Sequence, residues 1–273
     1  MFLESCRSYL FVPATRPDRI GKALAGAADA VIVDLEDAVA EDQKDEARRL
    51  LQEFMAASTG ARFTVRVNAG GEALVRDLEL CAELPGVDAI MLPKVESIED
   101  IRRVAGLGKP VWPLIESARG LLGINEIAAA PEVAGLTFGA LDLAADLGID
   151  PASEGAEVFY HQCRYRLVVA SRAYGLPAPV ETVIPEIHDT ARIEKAARMA
   201  AQMGFSGMLC IHPNQVSIVN GSFTPDQGLV EWAGRVVEAA QVNTGAFQID
   251  GQMVDAPVIH RASVILKQAN RTL

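Results

Sequence analysis

The sequence predicts a closed (β/α)8 TIM barrel with a C-terminal helical extension. Short apolar runs alternate eight times with amphipathic segments, which is the pattern of parallel strands joined by helices. The chain has 273 residues, a length that α/β barrels reach as one domain, and no Gly/Ser-rich linker interrupts it. A doubly wound open sheet is disfavoured because no G-x-G-x-x-G motif follows the first strand. We therefore expect a catalytic barrel over residues 1–243 and an extension or lid over residues 244–273.

Each predicted strand is an apolar, often β-branched run that is bounded by charged or turn-forming residues. The runs cover residues 8–13, 30–37, 62–68, 88–94, 111–116, 135–142, 177–183 and 207–213. The seventh run contains two prolines, which are unusual inside a strand.

The helices are predicted from amphipathic periodicity and capping residues. Thr15 can cap the first helix, whose first turn holds Pro17. Residues 97–100 form a plausible cap with acids in the first turn of a helix that ends near Gly106. Further helices are expected over residues 43–57, 72–84, 121–130, 150–175 and 189–203, and from Pro225 to about residue 242.

The tail after residue 242 is more than a barrel needs. It begins with alternating apolar residues and a turn at Asp250 and Gly251, and ends in a helix with one apolar stripe. The stripe consists of Val258, Ile259, Ala262, Ile265 and Leu266. We expect it to pack on a second subunit in a homotrimer or larger assembly; the alternative is that the tail folds back on its own barrel.

Amino-acid composition disfavours several classes of function and location. The formal net charge of −11 disfavours nucleic-acid binding, and it means that a small anionic substrate would need a local basic pocket. Neither a run of 18 apolar residues nor a signal-peptide pattern is present, so we expect an unprocessed protein without a membrane segment. Four scattered cysteines without a C-x-x-C pair favour the reduced cytoplasm.

Two acidic residues, Glu116 and Asp142, follow consecutive predicted strands. Parallel strands that are joined by a helix lie side by side, so the two carboxylates can converge at their C-terminal ends. Such a pair suits Mg²⁺, which takes one or two protein carboxylates and leaves its other positions to water or substrate. The alternative is that each carboxylate only caps the helix after it.

Other polar residues share this end of the barrel, where active sites of the fold lie. The candidates are Arg16, Glu36, Asp37, Arg66, Asn68, Lys94, Glu116, Asp142 and His212. Arg66 interrupts an apolar strand, where its charge requires anions such as Glu36 and Glu116. It serves either a substrate or an internal ion pair.

For two of these candidates, a catalytic role is not the interpretation that the sequence favours. Lys94 is the one candidate for Schiff-base chemistry, and nothing in the sequence indicates a lowered pKa. His212 precedes a proline at a strand end, which favours a structural hydrogen bond over a general base. No G-x-S-x-G, H-E-x-x-H or Walker motif is present, which disfavours the common hydrolases and nucleoside triphosphatases.

Taken together, the strand-end motifs resemble those of the citrate lyase β-subunit family within the HpcH/HpaI aldolases. They are RSYLFVP (7–13), VDLEDAV (33–39), VRVN (65–68), LPKVE (92–96), LIES (114–117), residues 138–148, IHPNQV (211–216) and DGQMVDAP (250–257). They occur in family order over nearly the whole chain.

The resemblance implies a Mg²⁺-dependent enzyme that makes or breaks a carbon–carbon bond between an acyl-CoA or acyl-carrier-protein thioester and a 2-oxo acid. Glu116 and Asp142 would be metal ligands, and Arg66 would face the enolate and the substrate oxygens. Asp255 matches a catalytic acid that a neighbouring subunit delivers. The residues that match the carrier-binding positions are Phe11, Arg16 and Lys22.

Three functions remain open from the sequence. The first is a lyase of hydroxyacyl thioesters such as citryl-, malyl- or citramalyl-CoA, free or together with other citrate lyase subunits. The second is a class II aldolase that acts on 2-oxo acids without a thioester. The third is a non-catalytic subunit, which the buried charges disfavour.

Overall fold

Eight parallel strands close into a barrel in the part of the chain that the structure describes. A computed structural model of the protein describes residues 6–243 and 245–270. The predictions for residues 1–5, Thr244 and residues 271–273 lie outside the described residues. The strands are β1 (Ser8–Pro13), β2 (Ala30–Asp34), β3 (Phe63–Arg66), β4 (Val87–Leu92), β5 (Val111–Ile115), β6 (Thr137–Phe138), β7 (Val180–Glu181) and β8 (Gly207–Cys210). Each strand pairs with the next, and β8 pairs with β1, so the predicted TIM barrel is confirmed.

Helices follow the strands in the order that a (β/α)8 barrel requires. They are α1 (Pro17–Leu24), α2 (Lys44–Ala57), α3 (Gly71–Glu83), α4 (Ile98–Ala105), α5 (Ala118–Ala128), α6 (Ala140–Leu147), α7 (Glu154–Ala173), α8 (Thr190–Met203) and α9 (Pro213–Ser222). A short 3-10 helix, Glu41–Gln43, precedes α2. The prediction omitted α9, because its small and polar residues give it little amphipathic character. Among the described residues, no helix has the length and apolar character needed to cross a membrane.

Several helix and strand ends differ from the prediction. Arg16, not Thr15, is the N-cap residue of α1, although Pro17 does lie in the first turn. The predicted cap of α4 is confirmed, and the structure shows it as a capping box, in which the Ser97 amide donates to the Asp100 carboxylate at 2.9 Å. Strand β7 is only two residues long, because it begins after the two prolines of its run.

The barrel is packed with side chains rather than open. One buried cluster joins strands from around the barrel; its larger members are Tyr9, Ile32, Met91, Trp112, Leu114, Val180 and Leu209. The Tyr9 and Trp112 rings lie 4.9 Å apart, centroid to centroid. A filled interior leaves the ends of the strands as the place for a site.

Contacts within the chain divide it into two units, Met1–Asn220 and Gly221–Leu273. The second unit contains α10 (Gln227–Ala240), β9 (Phe247–Ile249), β10 (Gln252–Val254) and α11 (Ala256–Ala269). The hairpin of β9 and β10 turns at Asp250 and Gly251, both with positive φ, as the predicted turn requires.

The apolar stripe of α11 packs on α10. Ala262 and Ile265 are buried in one cluster with Ala233 and Val236 of α10, and the other stripe residues pack against it. The prediction that the stripe needs a second subunit to cover it is therefore wrong. The same packing explains why the division falls after Asn220, earlier than the predicted boundary after residue 243.

Candidate active site

A cavity of about 370 Å³ lies at the C-terminal ends of the strands. Its lining includes Arg66, Glu116 and Asp142, so the structure brings these three candidates together. The cavity draws on several different strands, as sites at this end of a barrel do.

Glu116 follows β5 and is 4% exposed. Its Oε1 accepts a hydrogen bond from the backbone N–H of Lys94 at 2.8 Å. Burial and then the nearby charge of Asp142 raise the pKa of Glu116 to about 8. Glu116 does not cap the helix after it, because Ser117 does so through the amide of Gly120.

Asp142 lies in the first turn of α6 and not at the end of a strand. The sixth strand stops at Phe138, and α6 begins two residues later, so this part of the prediction was wrong. Two hydrogen bonds fix the first turn of α6: the Ala140 amide donates to Thr182 Oγ1 at 3.1 Å, and the Tyr160 hydroxyl donates to the Ala140 carbonyl at 3.0 Å. Asp142 is half-buried and still lines the cavity.

Arg66 is held by carboxylates. Its Nε and Nη2 donate to the two oxygens of Asp34 at 2.8 and 2.5 Å, and its Nη1 lies 3.2 Å from Glu36. The predicted partner Glu36 is confirmed, but the bidentate partner Asp34 was missed. Burial opposes the charge of Arg66, yet the bonds and charge of Asp34 outweigh it and raise the pKa of Arg66.

Asp34 could have been found from strand register. It is the last residue of β2 and pairs directly with Arg66, the last residue of β3. Its two oxygens also accept the amides of Glu36 and Ala38, so Asp34 joins the loop after β2 to the guanidinium.

Lys94 holds two acidic side chains at once. Its backbone has a positive φ of 54°, a conformation that non-glycine residues rarely adopt, and its amide donates to Glu116. Its Nζ lies 2.9 Å from Glu36, and this hydrogen bond raises the pKa of Lys94. A Schiff-base lysine needs a lowered pKa, so the structure disfavours that role.

Two other candidates have structural partners. The Asn68 side chain donates to the Leu35 carbonyl and to Asp77, away from the cavity lining. Nδ1 of His212 accepts the Asn214 amide at 3.2 Å, which agrees with the structural interpretation of this histidine.

The candidate Asp37 is half-exposed and lines the cavity.

A second cavity, of about 770 Å³, shares Phe11, Pro13 and Ile211 with the first. Its lining includes the basic side chains of Arg16, Arg19 and Lys22. We call it the basic cavity and the first one the acidic cavity. Phe11 belongs to both, and the Arg66 guanidinium stacks over its ring at 4.8 Å.

Asp255 lies in the second unit. It is the N-cap residue of α11, where its Oδ1 accepts the Val258 amide at 3.3 Å. It is half-buried.

The carboxylates of the acidic cavity fit a hard divalent cation. Glu116 and Asp142 supply oxygen donors, and their mutual repulsion is what a cation would relieve. Gly139 leaves the second carboxylate oxygen open, since a Cβ there would lie 2.5 Å from Oε2 of Glu116. No group of three or more His, Cys, Asp or Glu ligands occurs among the described residues. Two carboxylates agree with Mg²⁺, which keeps water or substrate in its other positions.

A barrel with two carboxylates and an arginine at its C-terminal end is consistent with a metal-dependent aldolase or lyase. Residues 7–213 match the family described as HpcH/HpaI aldolase/citrate lyase. The chain belongs to this family, which confirms the resemblance noted from its motifs.

Particular relatives narrow the class. The chain is 41% identical over 266 residues to a citrate lyase subunit beta-like protein of Mycobacterium tuberculosis, covering 96% of this chain and 94% of the relative. It is 38% identical over 264 residues to a (3S)-malyl-CoA thioesterase of Cereibacter sphaeroides, covering 91% and 89%.

Solved structures of citrate lyase beta subunits are also similar to this chain. CitE of M. tuberculosis, in complex with magnesium, acetoacetate and coenzyme A, has a TM-score of 0.86 and 38% identity, covering 97% of this chain and 98% of that one. The citrate lyase beta subunit of M. tuberculosis, complexed with oxaloacetate and magnesium, has a TM-score of 0.75 and 38% identity, covering 82% and 100%.

Proposed function

We propose that the protein is a Mg²⁺-dependent carbon–carbon lyase. It cleaves or forms a hydroxyacyl thioester, with a 2-oxo acid and an acyl thioester as the other side of the reaction. The observation that carries this proposal is the acidic cavity, where Arg66 lies with the carboxylates of Glu116 and Asp142. Family membership supports it, and so do the relatives' names and bound ligands.

Each residue has a proposed role. Glu116 and Asp142 hold the cation, which when bound supplies Lewis acidity toward the carboxylate and carbonyl oxygens of the oxo acid. Arg66 offsets the enolate charge of the acyl thioester. Its ion pair with the buried Asp34 keeps the guanidinium in place. Asp255 moves the proton at the thioester α-carbon, because that carbon is too weak an acid to ionise unaided.

The basic cavity is the proposed carrier site. Arg16 and Lys22 offer cations to the phosphates of coenzyme A or an acyl carrier protein, and Phe11 lies where the two cavities meet. This favours a thioester lyase over a class II aldolase that acts on free oxo acids, which would have no use for a basic cavity next to its site.

The test is incubation with Mg²⁺ and the CoA thioesters of malate, citramalate and citrate. We expect release of an oxo acid with the acyl thioester intact. Release of free coenzyme A and the hydroxy acid would indicate a thioesterase instead. Cleavage of free hydroxy acids with equal efficiency would favour the aldolase alternative.

We further propose a homotrimer or larger assembly in which Asp255 of one subunit completes the site of the next. Exposed apolar side chains on α5 and α7 support self-association: Leu122, Val158 and Tyr165 are 76%, 65% and 60% exposed. Association with other citrate lyase subunits stays a prediction. So does a cytoplasmic location, which the four scattered, buried cysteines support.

Subunit mixing tests the shared site. The inactive variants Asp255→Ala and Glu116→Ala should regain partial activity after exchange, because some sites then draw both residues from intact chains. If exchange is verified and no activity returns, the shared site is wrong.

A further inference from the structure

The charges that line the acidic cavity are unbalanced. The charged residues of its lining are Asp34, Asp37, Arg66, Glu116 and Asp142. Arg66 is thus the one cation among the described lining residues, and its guanidinium already meets three carboxylates: Asp34, Glu36 at 3.2 Å and Asp37 at 3.5 Å.

Nearby cations are committed elsewhere. The Nζ of Lys94 lies 2.9 Å from Glu36, and Lys94 is not part of the lining. Arg16, Arg19 and Lys22 line the basic cavity and not the acidic one.

The rest of the acidic cavity is mostly hydrocarbon. Phe138, Leu141, Val183 and Leu209 contribute apolar side chains to its wall. Thr182 supplies a hydroxyl, whose oxygen already accepts the Ala140 amide. A group that extends from the oxo acid therefore meets apolar side chains, acids and one neutral hydroxyl, and no cation other than Arg66 among the described lining residues.

We propose that the oxo acid of this site is short and carries a single carboxylate, as in glyoxylate or pyruvate. The inference rests on the proposed lyase function. One carboxylate can share the cation of Glu116 and Asp142. A second one, as in oxaloacetate, would be buried without a cation of its own, because Arg66 is already paired with carboxylates and faces the enolate in the proposed reaction. The solved relatives hold oxo acids with one carboxylate and with two. The preference of this chain must therefore be inferred from the residues that line its own acidic cavity.

The reaction itself is the same for each oxo acid. The bond between the thioester α-carbon and the carbinol carbon breaks, and the hydroxyl loses its proton as the carbonyl forms. The electron pair moves to the α-carbon, which is then protonated. Only the substituent on the carbinol carbon differs between the malyl, citramalyl and citryl thioesters.

The first experiment compares kcat/KM for malyl-, citramalyl- and citryl-CoA with Mg²⁺. We expect citryl-CoA to be at least about 100-fold poorer than the better of the other two, the range for a buried charge without a partner. Calorimetry with Mg²⁺ should show the same preference for pyruvate or glyoxylate over oxaloacetate, and this measurement does not depend on turnover.

A variant tests the cause. Leu141 lines the cavity and is 44% exposed, so Leu141→Lys can add a cation with little cost to folding. It should raise the ratio of citryl-CoA to citramalyl-CoA cleavage by at least about tenfold. Val75→Lys, at a 54% exposed position outside the cavity lining, makes the same charge change and should leave the ratio unchanged.

The outcomes separate the two proposals. Preference for citryl-CoA, or tighter binding of oxaloacetate than of pyruvate and glyoxylate, overturns the single-carboxylate inference and leaves the lyase function standing. If no thioester is cleaved, the lyase proposal fails, and the calorimetric comparison alone decides the inference.

Discussion

Arg66 with Asp34 and Arg48 with Asp77 are two arginine–aspartate pairs that the chain buries to almost the same extent. The side chains are 12% and 1% exposed in the first pair and 11% and 0% in the second. In each pair the arginine Nε donates to the aspartate, at 2.8 and 2.7 Å. Burial and pairing therefore do not distinguish a functional pair from a structural one.

The surroundings of the two pairs differ. Asp77 accepts the Asn68 amide and side chain with its second oxygen, and Arg48 also donates to Asp45 and the Ala73 carbonyl. The cavity of about 150 Å³ beside Arg48 is lined by equal numbers of acidic and basic side chains. The Arg66 pair opens on the acidic cavity, where acids outnumber bases and burial raises the pKa of Glu116 to about 8. A surplus of buried negative charge destabilises a fold, and a bound cation would remove that cost. Unbalanced charge beside a cavity, and not burial of an ion pair, therefore distinguishes the candidate site.

Matched lysine substitutions in the two pairs should give the largest difference. Arg66→Lys should lower kcat/KM by about 100-fold or more, because an ammonium cannot reproduce a bidentate guanidinium beside developing charge. Arg48→Lys should lower the free energy of unfolding with kcat/KM almost unchanged. Both values are measured by steady-state kinetics and denaturant unfolding. Near-normal turnover in Arg66→Lys would make Arg66 structural.

Matched amide substitutions at the two aspartates should give a smaller difference of the same kind. Asp34→Asn should lower kcat/KM by about 10- to 100-fold, as loss of a residue that orients a catalytic group does. Asp77→Asn should lower the free energy of unfolding by about 3 kcal/mol with activity retained. In an Arg66→Lys background, Asp34→Asn should have little further effect on kcat/KM. Fully additive losses in the double variant would show that Asp34 does not act through Arg66.

The smallest expected effect is on how the stability of the metal-free protein depends on pH. Because the pKa of Glu116 is raised from 4.5 to about 8, folded protein keeps a proton between these values that unfolded protein has lost. Stability should therefore fall as pH rises from 5 to 8. Glu116→Gln, which cannot ionise, should remove part of this fall and raise the metal-free melting temperature at pH 8 by about 2–4 °C. If the melting temperatures of the wild type and of Glu116→Gln change with pH in parallel across this range, the prediction is wrong.

The sequence predicted the barrel because eight apolar runs and their helices each carry local signals. It also placed Arg66, Glu116 and Asp142 at one end, because strand ends of a barrel converge. Local pattern could not show that the sixth strand stops at Phe138, since an apolar helix start continues the apolar run. Asp34 was missed because its role depends on register between strands, and the cover of the α11 stripe was missed because it depends on helix packing.

The most direct test of this account is calorimetric titration of Mg²⁺ into the protein and three variants. We expect one site in the wild type, loss of that site in Glu116→Ala and in Asp142→Ala, and loss of lyase activity with it. Asp77→Ala, which removes an equally buried carboxylate from the Arg48 pair, should keep Mg²⁺ binding wherever it remains folded. Unchanged Mg²⁺ binding in both Glu116→Ala and Asp142→Ala would contradict the account.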